Sequence, residues 1–272
     1  MLNSIHIQGF KGFKDTKIEG LRKVNLILGG QNVGKTSLLE AICLGIDSDG
    51  FQNSVAKVPH QNLRLSDGTN DSDYKEKVDI QCDEKGCYDY PLIVPLYTNY
   101  ERMLDVLDQV IHKRNKKQLI SYLQLIEPRL EEIIISARDG KRFVIYVGFY
   151  GIDTMLPLME LGHGFSRLLE LYSSLLVTDV SLALIDEIEN GIHYSALPTV
   201  FKGIREISES NGVQSIITTH SWECIRAAYE TFKDKPEDFQ LIRLERVEDN
   251  VRAVCINDEN LKTIMAEGYE IR

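Results

Sequence analysis

The chain has 272 residues, and 31 lysines and arginines against 41 aspartates and glutamates give a formal net charge of −10. Hydrophobic residues make up 43% and charged residues 26%, a globular balance that excludes disordered, collagen-like and coiled-coil proteins. The acidic balance argues against a chain that coats nucleic acid or a membrane surface by bulk electrostatics.

The N-terminal part of the chain predicts two strands, a glycine-rich loop and a helix. Ile5 and Ile7 alternate with polar residues, and Val24–Leu28 is a short apolar run between turn signals. Apolar residues spaced from Leu38 to Ile46 then form one helical face. Residues 47–76 are rich in Asp, Ser, Asn and Gly and predict a long surface excursion.

The middle of the chain predicts strands on either side of helices. Val78–Cys82 and Leu92–Leu96 are strand-like runs, with a turn between them at Gly86. The spacing from Tyr100 to about Ser136 is helical and long enough for a short helical hairpin. Arg142–Phe149 is a further candidate strand.

The last third alternates between the two kinds of element. Its predicted elements are helices over about 164–178, 195–209 and Trp222–Phe232, and strands over Ser181–Ile185 and Val213–Thr218. Strand–helix–strand at this spacing is typical of a right-handed crossover in a parallel sheet. Two strands, Gln240–Leu244 and Val251–Ile256, and a closing helix with Asn257 as its N-cap complete the pattern.

Cysteine usage and the absence of targeting signals favour a cytoplasmic protein. The five cysteines are scattered and odd in number, which is typical of reduced thiols. Cys82 and Cys87 could pair or share a metal, but no second Cys/His pair lies at zinc-ligand spacing. No apolar run reaches the roughly 18 residues that span a bilayer, and the first residues do not resemble a signal peptide.

The segment from Gly29 to Thr36, GGQNVGKT, matches the phosphate-binding loop pattern between a predicted strand and a predicted helix. Glycines allow backbone N–H groups to point at phosphate oxygens, and the helix N-terminus adds its positive dipole. Lys35 would reach the β- and γ-phosphates, and the Thr36 hydroxyl would bind Mg²⁺. The alternative is a glycine-rich turn that binds no ligand.

Two acids follow the apolar run Leu182–Ile185. Asp186 would lie at the carboxyl end of a buried strand, where open α/β sheets bind ligands, and could hold Mg²⁺ directly or through water. Glu187 could orient or deprotonate an attacking water. Acids after a strand also commonly complement the dipole of a following helix, which is the alternative here.

A histidine follows the next apolar run, Ser215–Thr219. Beside the strand that carries the two acids, His220 could contact the γ-phosphate or the attacking water. The alternative is that His220 caps the next helix or is a core histidine.

Paired glycines also precede the helix that begins near residue 164. Gly162 and Gly164 would make a second anion-binding helix N-terminus, with Arg167 in its first turn. Such an N-terminus could serve the nucleotide of another protomer, or it could be an ordinary turn at the start of a helix.

These motifs, in this order, resemble the ABC-type ATPase heads of the OLD, RecF and structural-maintenance-of-chromosomes (SMC) group. The segments that carry the resemblance are Ile5–Lys14, Gly29–Thr36 (Walker A), Leu161–Phe165 (a degenerate signature loop), Leu182–Glu187 (Walker B) and Thr218–Ser221 (switch histidine). Residues 186–195 and 218–225 are most similar to AAA-15-like, OLD-related ATPases without a TOPRIM domain.

The resemblance implies an α/β P-loop NTPase fold with a mainly parallel core sheet, an N-terminal antiparallel β part and a helical insertion. Residues 1–272 would form a single ATPase head, and residues 47–150 an internal insertion, a helical subdomain with β strands. The long coiled-coil arm of the chromosome-maintenance branch is missing, and the residues after Ser221 are too few for a TOPRIM nuclease.

The resemblance also assigns the site residues. ATP would bind Gly29, Asn32, Gly34, Lys35, Thr36 and Ser37; Thr36 and Asp186 would hold Mg²⁺; Glu187 and His220 would be catalytic. Gly162, Gly164 and Arg167 would act in trans across an ATP-sandwiched homodimer or higher oligomer, and Glu189, Asn190 and His193 would lie where protomers cross.

The function implied is an ATP-hydrolysing switch that controls a separate effector, such as a nuclease or toxin in anti-phage defence. The alternative is a RecF- or SMC-type ATPase that binds DNA ends or junctions during repair, and a third is a nucleotide-binding scaffold with negligible turnover. The basic run Lys113–Lys117 could contact a DNA backbone, although such a run is more often a solvated turn.

Overall fold

The computed structural model describes residues 1–46, 77–82, 92–94, 100–138, 142–177 and 181–268. The strands are β1 (Leu2–Phe10), β2 (Phe13–Glu19), β3 (Val24–Leu28), β4 (Lys77–Cys82), β5 (Leu92–Val94), β6 (Leu130–Arg138), β7 (Arg142–Phe149), β8 (Leu156–Pro157), β9 (Leu182–Ile185), β10 (Gln214–Thr219), β11 (Phe239–Val247) and β12 (Asn250–Ile256). The α-helices are α1 (Lys35–Ile46), α2 (Tyr100–His112), α3 (Lys116–Gln124), α4 (Gly162–Leu176), α5 (Leu197–Asn211), α6 (Trp222–Phe232) and α7 (Asp258–Glu267).

The core sheet has the strand order β12-β11-β3-β10-β9-β5. Neighbouring strands from β11 to β5 are parallel, and β12 is antiparallel to β11 at one edge. The strands β3, β9 and β10 are buried along their whole length, because layers cover both faces of the sheet. The predicted mainly parallel core sheet is therefore confirmed.

Helix α1 lies on one face of the core sheet, beneath a second, antiparallel sheet of order β2-β1-β4. Ile5 and Ile7 of β1 pack in the same buried cluster as Leu38 of α1 and Leu184 and Ile216 of the core sheet. The antiparallel sheet therefore holds α1, and with it the preceding loop, against the core sheet. The predicted N-terminal antiparallel part is confirmed.

The opposite face of the core sheet packs against helices α2 to α6 and a third sheet of order β6-β7-β8. Leu26, Ile185 and Ile217 point into this larger cluster, whereas their chain neighbours Leu184 and Ile216 point towards α1. Successive strand residues alternate between faces, so each core strand contributes to both clusters.

The helical interpretation of the chain up to Ser136 is wrong beyond Gln124, because Leu130–Arg138 is strand β6. Its isoleucine run is β-branched and pairs with β7 in antiparallel register, Ile133 opposite Val147 and Ile135 opposite Ile145. The predicted helical hairpin is present upstream as α2 and α3. The predicted excursion over 47–76 and the turn at Gly86 lie outside the described residues.

Two strands from the predicted insertion of residues 47–150 are part of the head's sheets. β4 pairs with β1 in the antiparallel sheet, and β5 pairs with β9 at the edge of the core sheet. Within this segment, the described residues thus add strands to two sheets, and they form the hairpin and two of the three strands of the third sheet.

The predicted cap of the last helix is confirmed. The Asn257 side chain accepts a hydrogen bond from Asn260 N at 2.7 Å and begins α7. Among the described residues, no helix has both the length and the apolar composition that a membrane crossing requires.

Helices α4 and α5 approach closely at Gly203. A Cβ atom at this position would lie 2.7 Å from Cε1 and Oη of Tyr172, which is fully buried. Gly203→Ala should lower the free energy of unfolding, because an overpacking cost of about 1–3 kcal/mol exceeds the helix-propensity gain of at most about 1 kcal/mol. Denaturant unfolding measures the change.

Lys202→Ala is the matched control, since Lys202 is the exposed neighbour on the same helix. Its free energy of unfolding should stay within about 0.5 kcal/mol of the wild-type value. A Gly203→Ala protein as stable as the control would contradict the close approach of α4 and α5.

Candidate functional site

The loop between β3 and α1 has the curvature of a phosphate cradle. Asn32 and Gly34 have positive φ angles of 58° and 115°, so the chain folds back before α1 begins. A Cβ on Gly34 would also lie 3.3 Å from the Phe13 ring. The Lys35 Nζ atom donates to the carbonyl oxygens of Gly29 and Gly30, at 2.8 and 2.9 Å.

Lys35 is a buried cation close to three carboxylates. Burial lowers the pKa of its ammonium group, while the nearby charges of Glu187, Glu189 and Asp186 act in the opposite direction. The ammonium group is held by the backbone carbonyls of Gly29 and Gly30. Such an ammonium group can exchange these carbonyls for phosphate oxygens.

Asp186 follows β9 directly and is buried. Thr36 Oγ1, in the first turn of α1, donates to Asp186 Oδ2 at 2.9 Å. The loop threonine and the strand-end carboxylate, which the sequence places 150 positions apart, are thus in direct contact. The sheet order explains this contact, because only β10 separates β3 from β9.

Glu187 has a strained backbone that its neighbours hold. Its φ angle is 44°, a region that non-glycine residues rarely adopt. Its N–H donates to Thr218 Oγ1 at 2.8 Å, and the Thr218 hydroxyl donates to Asp186 Oδ1 at 2.6 Å. One buried hydroxyl therefore contacts both members of the acidic pair.

His220 lies just beyond the end of β10 and pairs with Glu189. Both the backbone N and the ring Nδ1 of His220 lie within hydrogen-bond distance of Glu189 Oε1, at 2.8 and 2.9 Å. The imidazole remains 48% exposed, so it can still reach a ligand. Cys224 also contacts Glu189, but burial raises the pKa of its thiol to about 12, so it stays protonated.

The glycine loop at the start of α4 packs against the segment that follows the acidic pair. A Cβ on Gly164 would lie 3.0 Å from the Gly191 carbonyl oxygen, so a side chain here would press against the Gly191 backbone. Gly162 has a φ angle of 80°, and the space beside it is open. The loop therefore touches its own chain on one side and is accessible on the other.

Arg167 does not project from this loop towards a second protomer, and that expectation is wrong. The residue is buried, and its Nη2 donates to the backbone oxygen of Asp186 at 3.0 Å. Its guanidinium also faces Glu170, which in turn faces Arg102 of α2, with N–O distances of 3.6 Å. Arg167 thus joins α4 to the end of β9 within one chain.

The structure brings one set of the predicted site residues together by direct contact. Gly29 and Lys35 are in contact, as are Thr36 and Asp186, and Glu187 follows Asp186 in the chain. Asn32 is exposed in the loop, and Ser37 is half-buried in the first turn of α1. Gly164 lies beside Gly191, whereas the space beside Gly162 is open.

Sequence reasoning missed Thr218 as a site residue. The strand register explains its position: Ile217 lies opposite Ile185, so the next residues on the two strands, Thr218 and Asp186, also lie side by side. This register exists only in the folded sheet. A pair of adjacent threonines before His220 does not by itself indicate which hydroxyl faces the acids, because consecutive strand residues point to opposite faces.

The residues present fit a magnesium ion. Thr36 and Asp186 supply a hydroxyl and a carboxylate 2.9 Å apart, which are the hard oxygen ligands that Mg²⁺ prefers. Among the described residues, no group of three or more His, Cys, Asp or Glu side chains could hold a metal ion. Two oxygen ligands such as Thr36 and Asp186 are enough for Mg²⁺, which commonly completes its shell with waters and phosphates.

Two family models match the chain. The model described as "AAA ATPase domain" matches residues 1–138. The model described as "AAA domain, putative AbiEii toxin, Type IV TA system" matches residues 83–225. Together these matches include the loop Gly29–Thr36, the acidic pair Asp186 and Glu187, and His220.

A curated relative and two solved structures are similar over most of their length. An "ATP/GTP phosphatase" of Helicobacter pylori is 21% identical, covering 86% of this chain and 89% of the relative. An SMC head bound to the C-winged helix domain of ScpA has a TM-score of 0.63 at 15% identity, covering 97% of this chain and all of that one. The SMC head domain from Thermotoga maritima has a TM-score of 0.54 at 13% identity, covering 94% and 99%. The likeness to the SMC heads shows a shared ABC-type P-loop fold.

The loop contains a matched pair of glycines for testing its packing. A Cβ on Gly29 would lie 2.5 Å from Val33 Cγ1 and 3.2 Å from the Leu244 carbonyl oxygen, whereas nothing lies within 4 Å of one on Gly30. Gly29→Ala should therefore lower the free energy of unfolding of the nucleotide-free protein by about 1–3 kcal/mol. Gly30→Ala should change it by no more than about 0.5 kcal/mol. Equal effects in denaturant unfolding would contradict this loop geometry.

Proposed function

Because the chain belongs to the AAA ATPase domain family, we propose that it is a Mg²⁺-dependent ATPase whose ATP-bound form oligomerises and controls a separate effector protein. One observation carries the proposal: Thr36 Oγ1 lies 2.9 Å from Asp186 Oδ2. This contact supports the proposal, because nucleotide hydrolysis requires a phosphate-binding loop and an acidic strand end close together.

Each residue of the site has a chemical role in this proposal. Lys35 and the loop N–H groups bind phosphate oxygens, and Thr36 and Asp186 hold Mg²⁺, which neutralises phosphate charge when bound. Glu187 orients and deprotonates the attacking water, because its carboxylate is one residue beyond the metal ligand. His220 contacts the γ-phosphate or that water from the end of β10.

The surface around Gly162 supports an oligomer that closes over nucleotide. Gly162 is exposed with open space beside it, and helix α4 begins there with no side-chain cap from its N-cap residue Leu161. Met159 lies three residues before Gly162 in the chain and Tyr194 three residues after Gly191, and their side chains are 80% and 65% exposed. Large exposed apolar side chains around an anion-binding helix end are suited to burial against a second copy.

The effector part of the proposal rests on the description of one family model, which names a toxin of a type IV toxin–antitoxin system. A switch of this kind changes its oligomeric state with nucleotide and delivers that change to a partner. The head of residues 1–272 would thus regulate a nuclease or toxin in anti-phage defence. Cysteine usage typical of reduced thiols supports a cytoplasmic location.

Glu187→Gln should abolish ATP hydrolysis and retain ATP binding. The amide preserves the size of the side chain but cannot accept the proton of the attacking water, so kcat should fall at least about 100-fold. The variant should accumulate as an ATP-bound oligomer, measured by phosphate release and by light scattering after size-exclusion chromatography. Normal hydrolysis by Glu187→Gln would show that the base has been assigned to the wrong residue.

Lys35→Ala is the control for this experiment, because it removes the phosphate-binding cation. It should bind no ATP and remain in the nucleotide-free oligomeric state. A partner that the switch controls should co-elute differently with the two variants when each is purified from its host with ATP and Mg²⁺. If both variants form an oligomer of equal size, assembly of the oligomer does not depend on bound nucleotide.

A second candidate function, a DNA-end or junction-binding ATPase, is favoured by the turn between α2 and α3. Lys113, Arg114 and Lys117 are exposed there, and Arg114 has a φ angle of 64°. On a chain with a net charge of −10, direct DNA contact requires such a local basic patch.

Charge reversal at these three positions tests the DNA-binding function. If the turn contacts DNA, the variant should bind duplex ends at least about tenfold more weakly and show a shallower dependence of affinity on salt. Reversal at the exposed lysines 202, 233 and 262 is the control and should have a smaller effect. No DNA binding by the wild type, or equal losses in both variants, would exclude this turn as a DNA contact.

A further inference from the structure

The Thr218 side chain is fully buried at the end of β10, and its hydroxyl makes two hydrogen bonds within the site. It donates to Asp186 Oδ1 at 2.6 Å and accepts from Glu187 N at 2.8 Å. A buried threonine in a sheet could satisfy its hydroxyl on any nearby carbonyl. The Thr218 hydroxyl instead bonds to both Asp186 and Glu187, which follow the neighbouring strand β9.

The donated bond orients the Asp186 carboxylate. Thr218 holds Oδ1, and Thr36 holds Oδ2 at 2.9 Å. With both oxygens bound to hydroxyls, rotation of the carboxylate breaks at least one charge-assisted hydrogen bond. The plane of the carboxylate is therefore set before any ligand arrives, and Oδ2 is the oxygen turned towards the phosphate-binding loop.

The accepted bond orients Glu187. Its φ angle of 44° is unfavourable for a residue with a side chain, and the half-buried N–H needs an acceptor. The Thr218 hydroxyl supplies that acceptor, and the Thr218 carbonyl accepts from Ile188 N at 3.2 Å. Two bonds from one residue thus hold the turn that carries the Glu187 carboxylate.

We propose that Thr218 is a positioning residue, whose single hydroxyl sets the metal-binding orientation of Asp186 and the backbone conformation of Glu187 together. The inference rests on the proposed hydrolytic function, which assigns those two acids their roles. Thr218 acts through them and does not itself touch nucleotide.

The neighbouring residue is a matched control. Thr219 is equally buried in β10, but its Oγ1 accepts from Ser221 N at 3.0 Å, away from the acidic pair. Thr218→Val and Thr219→Val each remove one threonine hydroxyl from β10 and leave a side chain of nearly the same shape. Thr218→Ser keeps the hydroxyl, and Thr218→Ala removes it with the same loss of a methyl group.

Steady-state ATPase kinetics provide the first measurement. Thr218→Val should lower kcat at least about tenfold, because the acids lose their orientation, while KM for ATP stays within about twofold because the phosphate loop is unchanged. Thr218→Ser should restore most of kcat, and Thr219→Val should resemble the wild type. Equal kcat values for Thr218→Val and Thr219→Val would overturn the proposal. If Thr218→Val does not fold, the Ala and Ser variants give the same comparison.

Metal affinity provides a second measurement that does not depend on turnover. Mn²⁺ binding in the presence of ADP, followed by electron paramagnetic resonance, should weaken at least about fivefold in Thr218→Val and not in Thr219→Val. If the wild type hydrolyses no ATP but this difference persists, the hydrolytic function fails and the positioning role stands. Unchanged Mn²⁺ affinity in Thr218→Val overturns the positioning role even when the wild type is an active ATPase.

Discussion

The Asp186 carboxylate is the point on which the site depends, because hydroxyl groups from two other elements bind its two oxygens. Thr36 reaches it from the first turn of α1, and Thr218 reaches it from the end of β10. These contacts require β3, β10 and β9 to be parallel neighbours whose carboxyl ends meet at one edge. The layers on the two faces of the sheet keep that edge in register, so packing far from the site determines its geometry.

Three carboxylates lie near the Lys35 ammonium group at this edge of the sheet. The charges of Asp186, Glu187 and Glu189 act on the buried ammonium group of Lys35. Phosphates added to such a cluster would be opposed by three carboxylates, and burial strengthens that repulsion by lowering the effective dielectric constant. A cation held by Asp186 would offset this repulsion, which is why the proposed hydrolytic function includes Mg²⁺.

Most of the helices and strands could be predicted from the sequence, because the spacing of apolar residues reflects which faces of an element are buried. The bounds of β3 (Val24–Leu28) and α6 (Trp222–Phe232) agree with the prediction to the residue. Leu130–Arg138 was misassigned because its apolar spacing suits a helix, and only pairing with β7 makes it a strand. The loop and the acidic pair were located by motif, whereas Thr218 and the buried Arg167 depend on contacts between distant segments.

Glu187 shows why the end of β9 depends on tertiary contacts. A φ angle of 44° suits glycine, and the left-handed region costs other residues about 1–2 kcal/mol. Glycine would remove that strain but also the carboxylate, so the position keeps a residue that its own backbone disfavours. The bond from Glu187 N to Thr218 offsets part of the strain, and it exists only when β9 and β10 are aligned. A shift of β9 relative to β10 would break both hydrogen bonds of the Thr218 hydroxyl together, the one from Glu187 N and the one to Asp186 Oδ1. The two acids therefore respond as a unit to the alignment of β9 and β10.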